Sequence, residues 1–536
     1  MVLNTNKELC SIRCTLITFG AILTSTGLVL AIFWEMIFES ILYSELKLTP
    51  TSKSYEPWKQ PPMPLSLDIY LFNWTNPEDI RDNETKPVLE ELGPYRFTEI
   101  PDKVDIVWNR DNSTVSYRKK SLFYFDEVGS VGSLDDEITS INVVALSATA
   151  RAKHWNYVGK KSVSIGLKLY EQDIHVTKTA RELLFEGYED MMVLMGKEIF
   201  KADEVPFDRV GWFYMRNNTP DLIGHYNVHT GEEDITKIGT MQFWNYASRT
   251  NFFDSYCGMI NGSAGEFYPP HQQKDVPVQF FSPDMCRTLP FDFEQEVEVE
   301  GVLGYKYTGG ARTVDNGSLY PENSCFYPGE NVPSGVLNIS SCRFGTPVFM
   351  SFPHFYNADP YYVNQVDGLN PTKEKHEFSL TLEPYTGIAL DVAARFQLNV
   401  LIQPDTHISL YEDVQKIFLP VLWFEQRVTM TKDVADEISV ALSVPIYGQM
   451  IGVVILIIGL SLIFLYLFKK ILCLQQRRIK DVEESVKFQP NVIDKKNQIA
   501  IKEMNPSNGC KLKFEGLPLI DENDQSSYDV KLNTEI

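Results

Sequence analysis

The hydrophobic pattern divides the chain before any motif is read. Two long apolar runs carry no charge: Leu16 to Trp34 and Val444 to Phe468. At about 1.5 Å per helical residue each suffices to cross roughly 30 Å of hydrocarbon. No small-residue cleavage site follows the first run, and Phe33-Trp34 reads as an interfacial anchor, so the run predicts a retained span. Lys7 and Arg13 precede it and Glu35, Glu39 and Glu45 follow it. Lys469, Lys470, Arg477, Arg478 and Lys480 follow the second run. Positive charge favours the cytosolic side, which places both termini there. The expected layout is a cytosolic tail (1–15), a span (16–34), a lumenal or extracellular domain (35–443), a second span (444–468) and a cytosolic tail (469–536).

Between the spans the period shortens to two. After a Pro-rich stretch, Pro57 to Pro64, the residues Leu65, Leu67, Ile69 and Leu71 alternate with other residues, as on a strand. Further runs, VDIVW, VPVQFF, EVEVEGVLGYKY, HEFSLTLEPY and FQLNVLIQP, are separated by Gly, Pro, Asn and Asp. They predict a large antiparallel β domain. The stretch 141–200 departs from this pattern, and its composition predicts helices over Ala145–Tyr170 and Thr179–Phe200. No Asp or Glu occurs between Thr139 and Tyr170, while Arg151, Lys153, Lys160, Lys161 and Lys168 do. A spacing of seven or eight would gather Lys153, Lys160 or Lys161, and Lys168 on one helix face. That face is either an anion-docking surface or a solvated one. The chain's net charge of −22 makes the local excess notable and argues against nucleic-acid binding by the whole surface.

Covalent chemistry follows the same division. Sequons begin at Asn73, Asn83, Asn112, Asn217, Asn261, Asn316 and Asn338, all between the spans. Cys257, Cys286, Cys325 and Cys342 share that compartment, where disulfides persist; four cysteines allow three pairings. Cys10, Cys14 and Cys473 lie near a membrane face, as palmitoylation sites or as plain thiols. In the C-terminal tail, expected to be disordered, Glu515 precedes Leu519-Ile520 with the spacing of an acidic dileucine signal for clathrin adaptors. No nucleophile elbow, zinc-protease motif or phosphate loop occurs, so no catalytic residue, metal or cofactor is expected. His225 and His229 stand four apart, but Gly224, Asn227 and Gly231 argue against a metal-binding helix. A channel would share this topology, but the aliphatic second span argues against a pore.

Several segments together resemble the class B scavenger receptor family, the group of fatty acid translocase and lysosomal integral membrane protein type 2. They are FNWTNPEDI (Phe72–Ile80), ELGPYRF (Glu91–Phe97), TARELLFEGYED (Thr179–Asp190), SFPHFYNADPYY (Ser351–Tyr362), GLNPTKEKHEFSLTLEPYTG (Gly368–Gly387) and RFQLN (Arg395–Asn399). The sequence looks most like insect epithelial membrane protein-like members. The resemblance implies an α+β fold: an antiparallel β-barrel-like ectodomain with a lipid tunnel, an apical helical bundle at about 141–200, and two transmembrane helices. It implies ligand docking on the bundle by Arg151, Lys153, Lys160, Lys161 and Lys168, and disulfides Cys257–Cys325 and Cys286–Cys342. A third bridge of some relatives has no matching cysteines here. His154 falls near a helix histidine linked to pH-dependent cargo binding in the lysosomal member. The function implied is a receptor for lipids, lipoproteins or other anionic particles that passes lipid toward the membrane. The alternatives are a lysosomal sorting receptor for a protein cargo and a sensory-neuron lipid-pheromone transfer protein. The plasma membrane and the endosomal or lysosomal membrane are the expected locations, and a homo-oligomer is compatible with this reading.

Overall fold

A computed structural model describes residues 2–61, 65–199, 206–327 and 332–487. The dileucine residues Glu515, Leu519 and Ile520 lie outside the described residues. Both apolar runs are helical. The N-terminal helix spans Val2–Leu46 and the C-terminal helix Lys432–Lys487, so each continues past the expected span on the ectodomain side. Within them, Thr15–Leu46 and Lys432–Val482 are long and apolar enough to cross a membrane.

The two spans pack through glycines. A Cβ at Gly452 would stand 2.7 Å from the Ala31 nitrogen, and one at Gly459 would stand 2.5 Å from the Thr24 nitrogen. Only hydrogen at these positions lets the backbones approach, which is how helices associate where no water drives them together. The Trp34 indole donates to the Val444 carbonyl at 3.1 Å.

Among the described residues fifteen strands form the ectodomain sheets: β1 Leu65–Trp74, β2 Leu89–Asn109, β3 Thr114–Phe125, β4 Glu137–Ile141, β5 His175–Thr179, β6 His225–His229, β7 Met241–Trp244, β8 Val278–Ser282, β9 Arg287–Val299, β10 Val302–Thr308, β11 Leu337–Asn338, β12 Val348–Ser351, β13 Ser379–Leu382, β14 Ala389–Ile402 and β15 Ile417–Thr429. The main sheet runs β7-β6-β3-β2-β1-β15-β14-β13-β10-β9-β8, with β12 on β14 and β11 on β12. Its strand pairs are antiparallel. The two ends of this path meet at one segment. Met241 donates to the Gly262 carbonyl at 2.8 Å, Ser263 donates to Gln279 at 2.8 Å, and Phe281 donates back to Ser263 at 2.9 Å. The sheet therefore closes almost into a barrel and leaves little exposed edge. The expected strand runs fall on β2, β8, β9–β10, β13 and β14.

The helical region differs from expectation. Ala145–Tyr170 is not one helix but two, Val143–Ala152 and Tyr157–Leu169. Each has its own asparagine cap: Asn142 accepts from the amides of Val144 and Ala145, and Asn156 accepts from Gly159 at 2.9 Å. A side chain that satisfies the free amides of a new helix start competes with continuation of the old one. Thr179–Phe200 is not a helix throughout either. Its first residue closes β5, which pairs with β4, and Glu182–Glu186 forms one wide turn. Gly187, at φ 72°, ends that turn in a conformation that favours glycine. A helix then runs over Met191–Ile199, opened by Asp190, whose carboxylate accepts from Met192.

Candidate functional site

Segments that carried the family resemblance meet in one polar cluster, buried at its two histidines and open to solvent at Glu91. Glu91, from β2, accepts from His354 Nε2 at 2.5 Å and from the Trp423 indole at 2.7 Å. His354 Nδ1 accepts from the Asn370 amide at 3.0 Å, so the ring proton resides on Nε2 and points at Glu91. His376 stacks on His354 with ring centroids 4.3 Å apart, and its Nδ1 accepts from the Thr372 amide at 2.9 Å. Gln397 accepts from the His354 amide and donates to Asn399, which in turn donates to Ser351. Burial would raise the Glu91 carboxyl, but the hydrogen bonds from His354 and Trp423 outweigh it and hold it below its ordinary value. Burial first, and the neighbouring His354 second, push His376 down to about 3. This cluster fixes the Gly368–Glu377 loop against the barrel wall.

Above the barrel lies a cavity of about 1090 Å³. Helix residues Val144, Ala148, Val163, Gly166 and Met192 form one wall. Trp212, Phe213, Leu398, Met350 and Phe424 form much of the rest, so the surface is mainly apolar. Its charged lining consists of Arg151, Arg209, Arg216, Arg343, Asp221 and Asp284. Such a volume sits at the upper end of the roughly 300–1,000 Å³ usual for small-molecule sites.

The residues expected to dock anions are distributed differently from the single face predicted. Lys160 turns inward and pairs with Asp405 at 2.7 Å; both side chains are largely buried. Lys153 lies at the end of the first helix, before the break, so it does not share a helix with Lys161 and Lys168. Arg151 lines the cavity and donates to the Phe344 carbonyl at 2.8 Å. Lys153, His154 and Lys168 are exposed, and Lys161 lies half-buried over the Tyr157 ring. Beside them Trp155, Tyr157, Val158, Ile165 and Leu169 are also exposed. This surface is thus as much apolar as cationic.

Cys257 and Cys325 are joined by a disulfide. Cys286 and Cys342, the second pair that the resemblance implies, both stand on the cavity wall as free cysteines. The Cys286 thiol donates to the Pro283 carbonyl at 3.3 Å. Cys10 and Cys14 lie on the N-terminal helix, and Cys473 is a half-exposed thiol on the C-terminal helix. Asn83, Asn112, Asn217 and Asn261 are exposed, whereas Asn73, Asn316 and Asn338 are half-buried. Asn73 accepts from the Thr139 amide and Asn316 donates to the Val332 carbonyl. His225 and His229 lie on β6, so helical spacing does not apply to them.

Sequence reasoning did not single out Arg209, Arg216, Asp284 or Arg343. Arg209 and Arg216 share the loop before β6, Asp284 lies between β8 and β9, and Arg343 precedes β12, so no local pattern links the set.

The CD36 family model matches residues 17–470. Protein peste of Drosophila melanogaster is 43% identical over 450 residues, covering 84% of this chain and 81% of its own. Scavenger receptor class B member 1 of Rattus norvegicus is 33% identical over 409 residues, covering 76% and 79%. Lysosome membrane protein 2 of Mus musculus is 32% identical over 466 residues, covering 85% and 95%.

Proposed function

The chain belongs to the CD36 family, and on that premise we propose that it is a receptor that docks lipid or lipoprotein particles at its helical apex and passes lipid through the ectodomain toward the membrane. One observation carries the reading: the large, mainly apolar cavity beneath the apical helices. Exposed apolar side chains beside Lys153, Lys161 and Lys168 suit a lipid surface, since apolar groups enter the acyl boundary while cations meet anionic heads. The mechanism needs binding surfaces and a passage but no bond chemistry. The termini are cytosolic in this reading.

Gly166 provides the test. It lines the cavity, and a Cβ added there would meet nothing within 4 Å. Gly166→Trp therefore starts a bulky side chain from an open position on the cavity wall. Cells that express the variant at normal surface density should take up less neutral and anionic lipid from particles. Unchanged uptake would remove the cavity from the route.

A second reading, a lysosomal sorting receptor for a protein cargo, draws on the similarity to lysosome membrane protein 2 and on the tail motif. In it, clathrin adaptors would read Glu515, Leu519 and Ile520. Leu519→Ala with Ile520→Ala should then shift the protein toward the cell surface, and an unchanged distribution would count against the signal.

A further inference from the structure

The barrel has one seam. Among the described residues β7 and β8, the two ends of the main sheet, do not pair with each other; the segment Gly262–Phe267 lies between them as a strap. On the β8 side Ser263 donates to Gln279 and accepts from Phe281, and the Asn261 amide and carbonyl both meet the Thr288 hydroxyl. On the β7 side Met241 donates to the Gly262 carbonyl at 2.8 Å and Ala264 donates to the Gly239 carbonyl at 3.0 Å. Glycine makes the fit possible: Gly262 has φ 78°, and a Cβ there would stand 2.6 Å from the Gln279 carbonyl.

Glu266 latches the strap to the wall beside β7. Its carboxylate pairs with Lys119 of β3 at 2.7 Å and with Lys103 of β2 at 3.4 Å, and it accepts from the Tyr117 hydroxyl at 3.4 Å. Lys119 also donates to the Ala264 carbonyl at 2.8 Å, so it grips the strap twice. Burial would raise the Glu266 carboxyl, but the two lysines outweigh it and keep it ionised. Because β7, β6, β3 and β2 are consecutive in the sheet, the latch and two backbone bonds hold the strap to one half of the barrel. Parting the strap from β7 breaks far fewer bonds than parting β14 from β15, which pair from Asp391↔Thr429 to Ile402↔Ile417.

The seam also runs in a useful direction. At its upper end Trp244, the last residue of β7, and Pro283, just past β8, line the cavity, and the Trp244 and Phe281 rings lie 5.5 Å apart. At its lower end Gly239 donates to the His229 carbonyl at 2.9 Å, and the neighbouring Thr230 carbonyl accepts from Leu48 at 2.9 Å. Leu48 stands two residues past the N-terminal membrane helix Val2–Leu46.

We propose that the seam between β7 and the strap is a lateral exit from the cavity toward the membrane, and that Glu266 on Lys119 and Lys103 is the latch that keeps it shut. This rests on the reading of the cavity as part of a lipid route and adds where that route leaves the barrel.

The full chain in proteoliposomes tests it, with pyrene-labelled phosphatidylcholine offered from donor particles on the ectodomain side. Two quantities are read: label held by the protein and label delivered to its bilayer. Thr240 and Ser263 face each other across the seam as an antiparallel pair, and the Cα spacing of about 4.5–5.5 Å in such pairs suits a disulfide. Thr240→Cys with Ser263→Cys, its new bond confirmed by peptide mapping, should load as the wild type does but deliver no label. Lys119→Met removes both grips on the strap and leaves Glu266 with Lys103. It should raise delivery about tenfold, the equivalent of one charge-assisted hydrogen bond. An intact Cys257–Cys325 bond and mature glycans report folding of each variant. The opposite signs are the signature, since a damaged barrel would deliver less in both. Unchanged delivery by the stapled protein, loss of its loading, or delivery by folded Lys119→Met that does not rise would each overturn the proposal and leave the lipid route standing. No delivery by the wild type would overturn the route and the seam together.

Discussion

Lys160 and Asp405 form an ion pair at 2.7 Å that ties the helix Tyr157–Leu169 to the loop between β14 and β15. Both side chains are largely buried, so the loss of one leaves the other poorly solvated, although Asp405 keeps the His407 amide. Lys160→Gln should destabilise the ectodomain by up to about 3–5 kcal/mol, the range for an orphaned buried charge. The effect carries a pH signature. Burial would raise the Asp405 carboxyl, but Lys160 and the His407 amide outweigh it and hold it low. A depressed folded value means that the stabilisation is complete above the unfolded value of about 3.9 and is lost as pH falls through the folded one. The difference in melting temperature between wild type and variant should hold from neutral pH to about 5 and shrink below about 4. A difference that already shrinks between pH 7 and 5 would contradict the pairing.

The exposed apical cations should act together. Lys153→Glu, Lys161→Glu and Lys168→Glu combined should strongly reduce binding of anionic particles at low salt, though exposed pairs contribute only about 0–1 kcal/mol each. Salt should narrow the gap, because screening weakens the wild type. Lys160→Glu belongs outside this set, since it would place a second anion against Asp405. Full binding by the folded triple variant would leave docking to the apolar residues, and Trp155→Ala with Ile165→Ala would then be the decisive pair.

His376 predicts an acid limb in stability. Its folded value of about 3 lies below its ordinary 6.5. The unfolded chain therefore binds a proton that the native one refuses, and stability falls as pH drops from about 6.5 toward 3. His376→Asn keeps an acceptor for the Thr372 amide without the titration. Thermal unfolding of this variant should decline less steeply over that window. A parallel decline would assign the acid limb to other groups.

The cysteines predict a linkage map. Peptide mapping of mature, oxidised protein should recover Cys257 linked to Cys325 and Cys286 linked to Cys342, a pair that shares the cavity wall. Cys257→Ser should cost about 2–5 kcal/mol and reduce export. Recovery of a Cys257–Cys286 linkage would rule out this arrangement.

Sequence alone determined the features that depend on local composition. Charge-free runs around Leu16–Trp34 and Val444–Phe468 identify themselves, because a bilayer accepts only a long apolar helix or a closed barrel. Alternation in Leu65–Leu71 and Phe396–Ile402 marks strands, because successive side chains face opposite sides. Ordered motifs from Phe72 to Asn399 identified the family. Helix boundaries in 141–200 were less legible: charge spacing suggested one continuous face, and the caps at Asn142 and Asn156 interrupt it. Which lysine is free and which is paired was not legible at all. Lys160 and Asp405 lie far apart in sequence, and only the return of the chain after β14 brings that carboxylate to the helix. The same holds for Arg216, Asp284 and Arg343. Each is an ordinary charged residue in its own loop, and only tertiary folding brings the three together on one cavity wall.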